Sequence, residues 1–388
     1  MENFHYSIGT KIFFGKGEIK NLVNVIKEYG KKVLILYGGG SIKKIGLYDE
    51  VIKILKDNNI SYVELSGVEP NPRITTVREG IEICKKEQVD VILPIGGGST
   101  IDCGKVIAAG IMYDGDPWDI VIDASKIKAA LPIISILTLS ATGSEMDGFA
   151  VISDLEKNMK IGTGHELLKP KASILDPTYT YTVSKKQTAA GTADIISHTL
   201  ENYFNNVEGA YVQSRLAEGI LKTCIKYGVI AIEEPKNYEA RANLMWASSL
   251  AINGILSYGA DKSWSVHPME HELSAFYDIT HGEGLAILTP HWMRYVLNDN
   301  TINKFVEFGV NVWGIDESLP EYHIANKAID MMADYFKALG IPSTLREVGI
   351  LDDNKFEIMA KQAVRSKIIN GFVPLNQEDV INIFKASL

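Results

Sequence analysis

Little in this 388-residue sequence points to a membrane, a secretory route or nucleic acid. Its longest apolar-rich stretch, Ala129 to Leu139, is broken by Pro132, Ser135 and Thr138 and falls well short of the ~20 residues a membrane span needs. The first residues, Met1 to Gly17, lack a basic segment followed by an apolar block, so no signal peptide is expected. Cysteine is scarce. Cys84, Cys103 and Cys224 are odd in number and far apart, which argues against a disulfide framework and against a thiolate zinc site. Positive charge is in deficit: 39 Lys plus Arg stand against 48 Asp plus Glu, a net charge of −9, so a surface built to grip nucleic acid or anionic lipid is not expected. The G-x-G-x-x-G fingerprint of the usual dinucleotide fold is missing as well. What remains is a globular composition, 46% hydrophobic and 22% charged, long enough for two or three domains. The expectation is a cytoplasmic protein that meets small molecules.

The two halves are punctuated differently. Twenty of the 33 glycines lie before residue 181. The same half holds short Val/Ile-rich runs, Val33–Tyr37, Val89–Ile95 and Ile133–Leu137, which read as strands buried on both faces. Helical patterns such as Thr75 to Glu87 lie between them. Alternating strand and helix predicts a doubly wound, mostly parallel, Rossmann-like sheet. From Ser184 onward, helical stretches follow one another: Thr188 to Phe204, Tyr211 to Ile232, Tyr238 to Asn253, Ile324 to Leu339 and Asn354 to Ala363. The expected organisation is therefore an α/β domain over residues 1–182 and an all-α domain over 183–388.

Two strands run into triple glycines, Gly38-Gly39-Gly40-Ser41 and Gly96-Gly97-Gly98-Ser99, the second followed by Thr100 and Asp102. A third strand leads into Thr138-Leu139-Ser140-Ala141-Thr142-Gly143-Ser144-Glu145. Glycine lets backbone N–H groups approach a phosphate, a helix start adds partial positive charge, and the hydroxyls add donors. A single Gly/Ser turn reads as a tight connector. Three of them in one α/β half favour a nucleotide site at the carboxyl ends of parallel strands.

Histidine is concentrated. Of the eight, His267, His271 and His281 fall within 15 residues. His198 stands four residues after Asp194, so on a helix the two share a face about 5–6 Å apart at the Cβ atoms. Taken alone, Asp194 and His198 read as a surface pair. Together with the histidine cluster they suit a borderline divalent cation such as Fe²⁺ or Zn²⁺. His5, His165, His291 and His323 stand apart.

These segments resemble, in order along the chain, the motifs of the iron-containing alcohol dehydrogenases. Gly191-Thr192-Ala193-Asp194-Ile195-Ile196-Ser197-His198-Thr199-Leu200-Glu201 is similar to the family's first metal motif. His267-Pro268-Met269-Glu270-His271-Glu272-Leu273, with Tyr277-Asp278-Ile279-Thr280-His281-Gly282, is similar to its second. Gly96-Gly97-Gly98-Ser99-x-x-Asp102 and Thr142-Gly143-Ser144-Glu145 resemble its cofactor turns, and Leu339–Leu345 a segment near its end. Tyr37-Gly38-Gly39-Gly40-Ser41 resembles the NADPH-dependent, butanol dehydrogenase-like branch.

The resemblance implies an alcohol dehydrogenase or aldehyde reductase acting on primary alcohols such as butanol. In such an enzyme a metal polarises the substrate oxygen while hydride passes to or from nicotinamide C4. It implies Asp194, His198, His267 and His281 as ligands of Fe²⁺, with Zn²⁺ as the alternative, and His271 as a proton relay. It implies a cofactor wall of Gly38, Gly39, Gly40, Ser41, Gly97, Gly98, Ser99, Asp102, Thr138, Thr142 and Ser144, with Lys160 near the ribose. Phe149 and Trp264 would line the pocket, and a homodimer would pair through an N-terminal strand pair within Tyr6 to Lys16. NAD-preferring dehydrogenases often set an acid at the ribose 2′-hydroxyl. The turn after the first strand has none, and Lys43-Lys44 follows, so NADP(H) is expected in preference to NAD(H). The competing class is a dehydroquinate synthase-like lyase, which uses NAD and a metal on an anionic substrate. It needs several basic residues, and the metal segments carry few, with Lys262 and Arg294 the candidates.

Overall fold

The computed structural model describes residues 1–260, 264–365 and 367–388. Its strands are β1 (Lys11–Phe14), β2 (Lys32–Leu36), β3 (Ser61–Leu65), β4 (Val91–Gly96), β5 (Ile134–Leu137), β6 (Phe149–Asp154), β7 (Met159–Gly164) and β8 (Ala172–Leu175). Six form one sheet in the order β1-β8-β5-β4-β2-β3, and every pairing in it is parallel. The register sets Leu34 beside Ile92 and Ile95 beside Ile136. Strand β4 is buried at all six positions and β5 at all four, as central strands covered on both faces must be. Val25, Val51 and Leu55 pack on one face of the sheet, Val77, Ile81 and Val106 on the other. Each such side chain fully buried is worth about 1.5–3 kcal/mol.

The connection out of β2 runs to β3 on one side, and the connection out of β4 runs to β5 on the other. The sheet thus reverses its winding between β2 and β4, where ligands of open α/β sheets bind. Three elements of this unit carry no sharp sequence signal: β3, β8 and the antiparallel hairpin β6–β7. The expected strand pair within Tyr6 to Lys16 is a single strand. β1 lies parallel to β8, with Lys11 beside Ala172, so its partner is distant in sequence and not a neighbouring hairpin arm.

The chain resolves into two units. One holds Ser7–Val183 and Pro235–Ser249; the other holds Met1–Tyr6, Ser184–Glu234 and Leu250–Leu388. Two segments therefore stand outside the expected division at 182/183. Most of the helix Tyr238–Ile252 belongs with the sheet, where Met245 packs on Ile101, Leu137 and Leu175. In the helical unit, Ser184 caps the helix Lys185–Tyr203, its Oγ accepting from Gln187 N at 3.2 Å. Every residue from Thr188 to Tyr203 is buried, which makes this the central helix. It packs against Tyr211–Glu233 and His281–Val296, and the helix Val266–Tyr277 packs on the latter. No described helix is long and apolar enough to cross a membrane. Cys84, Cys103 and Cys224 are free and buried.

Candidate metal centre and coenzyme turns

The central helix presents Asp194 and His198 on one face, with His198 Nδ1 3.6 Å from Asp194 Oδ1. His267 stands in the first turn of the 266–277 helix and sets Nε2 4.0 Å from the same carboxylate oxygen. That helix ends at Asp278, whose φ of +51° is left-handed and turns the chain back. The next helix then opens on His281, with Nε2 3.7 Å from Asp194 Oδ1. One carboxylate oxygen is thus approached by three imidazoles from three helices. Asp194, His267 and His281 each offer a ligand atom within 4.8 Å of the other two. His198 stacks on His267, with centroids 4.6 Å apart and planes at 20°. Trp264 lies against both rings, 4.6 Å from His267 and 5.4 Å from His198.

His198 Nδ1 and His267 Nε2 are buried with no hydrogen-bond partner among the described residues. A buried polar atom left in that state costs about 1–3 kcal/mol. Two such nitrogens facing a buried carboxylate fit a divalent cation, and the N/O donor set without sulfur fits Fe²⁺ or Zn²⁺. Burial, together with the neighbouring His267, His281 and His271 rings, pushes the His198 imidazole well below its ordinary range. It is therefore neutral, the form in which imidazole ligates.

His271 lies one turn beyond His267, half-buried, with its ring 5.7 Å from that of His281 and 6.3 Å from that of His267. It flanks the Asp194 cluster, so His271→Ala is expected to keep the metal and to lower turnover by about 10²–10⁴, the usual worth of a general acid or base. Metal analysis beside kcat checks this, and loss of the metal would move His271 among the ligands. Gly282 lies at a close helix crossing, where a Cβ would sit 2.0 Å from the carbonyl oxygen of Ala190 on the central helix. Gly282→Ala is accordingly expected to cost about 1–3 kcal/mol of stability, as overpacking does. It should also loosen metal retention, because His281 rides on the same turn. Urea unfolding and metal content measure both, and parental values would refute the close approach.

The coenzyme candidates lie in the sheet unit. Gly40, at φ +92°, turns the chain after β2 into the short helix Ser41–Lys44. A side chain at Gly39 or Gly40 would meet nothing within 4 Å, whereas one at Gly38 would come 3.0 Å from Val68 O. Lys43 Nζ lies over the Tyr37 and Tyr48 rings, 5.0 and 4.6 Å from their centroids. After β4, Gly97 leads into the helix Gly98–Gly110, with Ser99 in its first turn. A Cβ on Gly98 would fall 2.1 Å from Thr142 Oγ1, so glycine lets the turns after β4 and β5 touch. Thr138 N donates to Gly96 O at 3.0 Å, tying the same two turns at their base.

Asp102 turns inward. Ser144 Oγ donates to its Oδ1 at 2.5 Å and Val151 N to its Oδ2 at 2.9 Å. Asp102 and Ser144 thus brace the third turn. Burial raises the carboxyl pKa values here, to about 6 for Asp102 and about 7 for Glu145. Lys160 is buried on β7 opposite Ser153, and Phe149, at the start of β6, is 58% exposed. Lys105, outside the expected site residues, is fully buried three residues after Asp102, and its Nζ donates to Asp147 at 2.8 Å and to Phe149 O at 2.7 Å. Its spacing on the helix from Asp102 was the available signal. Glu201 and Glu270, quoted inside the metal motifs without a role, lie directly behind the His267 and His281 rings. Of the two bases weighed for an anionic substrate, Arg294 pairs with Asp330 at 2.7 Å, and Lys262 lies outside the described residues.

A parallel sheet with three donor turns at the carboxyl ends of its strands, and a helical unit with an Asp/His₃ cluster, define a metal-dependent dehydrogenase. Residues 9–177 match the iron-containing alcohol dehydrogenase family, and residues 188–388 match the C-terminal region of the Fe-containing alcohol dehydrogenase family. The chain is 66% identical over the full length of both proteins to the NADH-dependent butanol dehydrogenase A of Clostridium acetobutylicum. It is 38% identical, over 93% of each chain, to the NADPH-dependent aldehyde reductase of Escherichia coli. Its structure resembles that of the NADH-dependent butanol dehydrogenase A of Thermotoga maritima, with a TM-score of 0.94 and 40% identity over 100% of this chain and 99% of that one. The chain belongs to the iron-containing alcohol dehydrogenase family. It is a metal-dependent alcohol dehydrogenase or aldehyde reductase that uses a nicotinamide coenzyme, and nothing supports the lyase alternative.

Proposed function

We propose that this enzyme interconverts primary alcohols such as butanol and their aldehydes with NADP(H) in preference to NAD(H), with a divalent metal held by Asp194, His198, His267 and His281. The observation that carries the reading is the approach of His267 Nε2 and His281 Nε2 to one oxygen of Asp194, at 4.0 and 3.7 Å, in a buried setting. Iron is the metal that the family description names, and zinc suits the same donors. When bound, the cation supplies Lewis-acid polarisation of the substrate oxygen and the nicotinamide supplies or accepts hydride. The chain's own residues do the rest. Neutral imidazoles and one carboxylate hold the ion, and Trp264 walls the His198 and His267 rings. His271 holds the proton that reaches the substrate oxygen during reduction.

Gly38–Ser41, Gly97–Ser99 and the Thr138, Thr142 and Ser144 turn bind the coenzyme, with Asp102 holding Ser144 in place and Lys160 toward the ribose side. Relatives pull in two directions on its identity, since the 66% identical one is named for NADH and the 38% identical one for NADPH. The turn after β2 supports NADP(H): it carries no carboxylate, it is open at Gly39, and Lys43 stands beside it. We also infer a cytoplasmic homodimer. NADPH and NADH oxidation against a panel of aldehydes, with chelated protein reloaded separately with each metal, tests the reading. Reduction that survives complete metal removal would refute the metal centre, and equal or better kcat/KM with NADH would refute the coenzyme preference.

A further inference from the structure

The two carboxylates behind the histidine rings form a chain of supports. Glu201 sits at the end of the central helix, buried, seven residues after Asp194 and on the same face. Its Oε2 accepts from Ser265 N at 2.7 Å, and its Oε1 accepts from Val266 N at 2.7 Å and His267 N at 2.9 Å. The same Oε1 lies 3.1 Å from His267 Nδ1. One residue of the central helix therefore caps the start of the 266–277 helix, satisfying N–H groups that have no partner within it, and grips the ring that this helix presents. Glu270, fully buried on the 266–277 helix, repeats the arrangement one step along. Its Oε2 contacts His281 Nδ1 and its Oε1 accepts from Ser274 Oγ. Each helix thus supplies the carboxylate that holds the next helix's histidine.

A carboxylate accepts hydrogen bonds, so each of these contacts puts the ring proton on Nδ1 and the lone pair on Nε2. The Nε2 atoms are the ones that approach Asp194. Glu270, His271 and His281 also lie close enough together to suggest a second cation. The direct hydrogen-bond contact of Glu270 with His281 Nδ1 leaves no room for one, so the carboxylate acts as support.

We propose that Glu201 and Glu270 are positioning residues for the metal centre, each fixing the tautomer and aim of one histidine, His267 and His281 respectively. The proposal rests on the metal reading above. It is tested on the full-length protein stripped of metal and titrated with Co²⁺, whose visible absorption reports the ligand set, in competition with a chelator. Glu201→Gln sets an amide N–H₂ against backbone donors, and Glu270→Gln takes the charge from behind His281 and leaves one carbonyl oxygen where two carboxylate oxygens met Ser274 and His281. Each is expected to weaken Co²⁺ binding by about 10–100-fold, the usual cost of losing such a support, and to shift the visible bands. A role in stability alone would lower the melting point of the metal-free protein and leave the spectrum as it is. Parental affinity and spectrum in both variants would overturn the proposal. His267→Ala run alongside separates the two ideas: if it binds Co²⁺ as the parent does, the metal reading itself falls. Should Glu201→Gln fail to fold, Glu270→Gln decides alone, because its contacts to Ser274 and His281 are side chain to side chain.

Discussion

His267→Ala is expected to leave the protein without bound metal and without aldehyde reduction. The ring supplies one of the two imidazole nitrogens at this cluster that are buried without a hydrogen-bond partner among the described residues, and it faces Asp194 at 4.0 Å. It is also the surface on which His198 stacks and Trp264 rests, so its loss loosens a neighbouring imidazole as well. Losing a residue that merely supports a ligand costs about 10–100-fold in metal affinity, and losing a ligand exceeds that range. Metal analysis after gel filtration, beside NADPH oxidation with butanal, measures both effects. The melting curve of the metal-free protein separates them from misfolding, since a buried large-to-small change by itself costs about 2–5 kcal/mol. Activity that outlives the metal would refute the ligand assignment. Metal retained with activity lost would place His267 in the chemistry and not in the ion's hold.

Gly39→Asp is expected to turn the coenzyme ratio toward NADH. Nothing lies within 4 Å of a Cβ at this position, so the side chain enters without displacing its surroundings. It brings a negative charge to a turn that carries none and that is followed by Lys43 and Lys44. Two unit charges at about 4 Å repel by roughly 1 kcal/mol in water and about 4 kcal/mol near a protein surface. A 2′-phosphate there should therefore lose about ten- to a hundredfold in kcat/KM, while NADH, with a hydroxyl that can donate to the carboxylate, holds or improves. The readout is the ratio of kcat/KM for NADPH to that for NADH. An unchanged ratio would remove the ribose from this turn.

Much of this was legible in the chain itself. Val33–Tyr37, Val89–Ile95 and Ile133–Leu137 predicted β2, β4 and β5 because strands covered on both faces are apolar throughout. The strands that escaped notice carry polar residues within them. β3 contains Glu64, which accepts from Tyr37 and Tyr48, and β8 contains Ser173, whose hydroxyl accepts from Ser135 and donates to Glu145 O. β1 was located but mispaired, because a parallel partner more than 150 residues away leaves no local trace. The helix at 238–252 was found, yet its packing with the sheet was not. Which unit a helix joins depends on what its apolar face meets, here Ile101, Leu137 and Leu175 against Met245.

The same boundary runs through the candidate site. Residue type and spacing along the chain pointed to Asp194, His198, His267, His271 and His281, because metal chemistry demands those donors and a helix repeats its face every three or four residues. Sequence order also placed the glycine turns at strand ends. Tertiary structure alone decided which nitrogen of each ring faces Asp194, that Asp102 turns inward to Ser144 and Val151, and that Glu201 and Glu270 stand behind His267 and His281. The reason is physical. A side chain's identity sets what it can bond, but the direction of that bond follows from helices and strands brought together by burial, and a hydrogen bond between residues 64 positions apart exists only once that packing has formed.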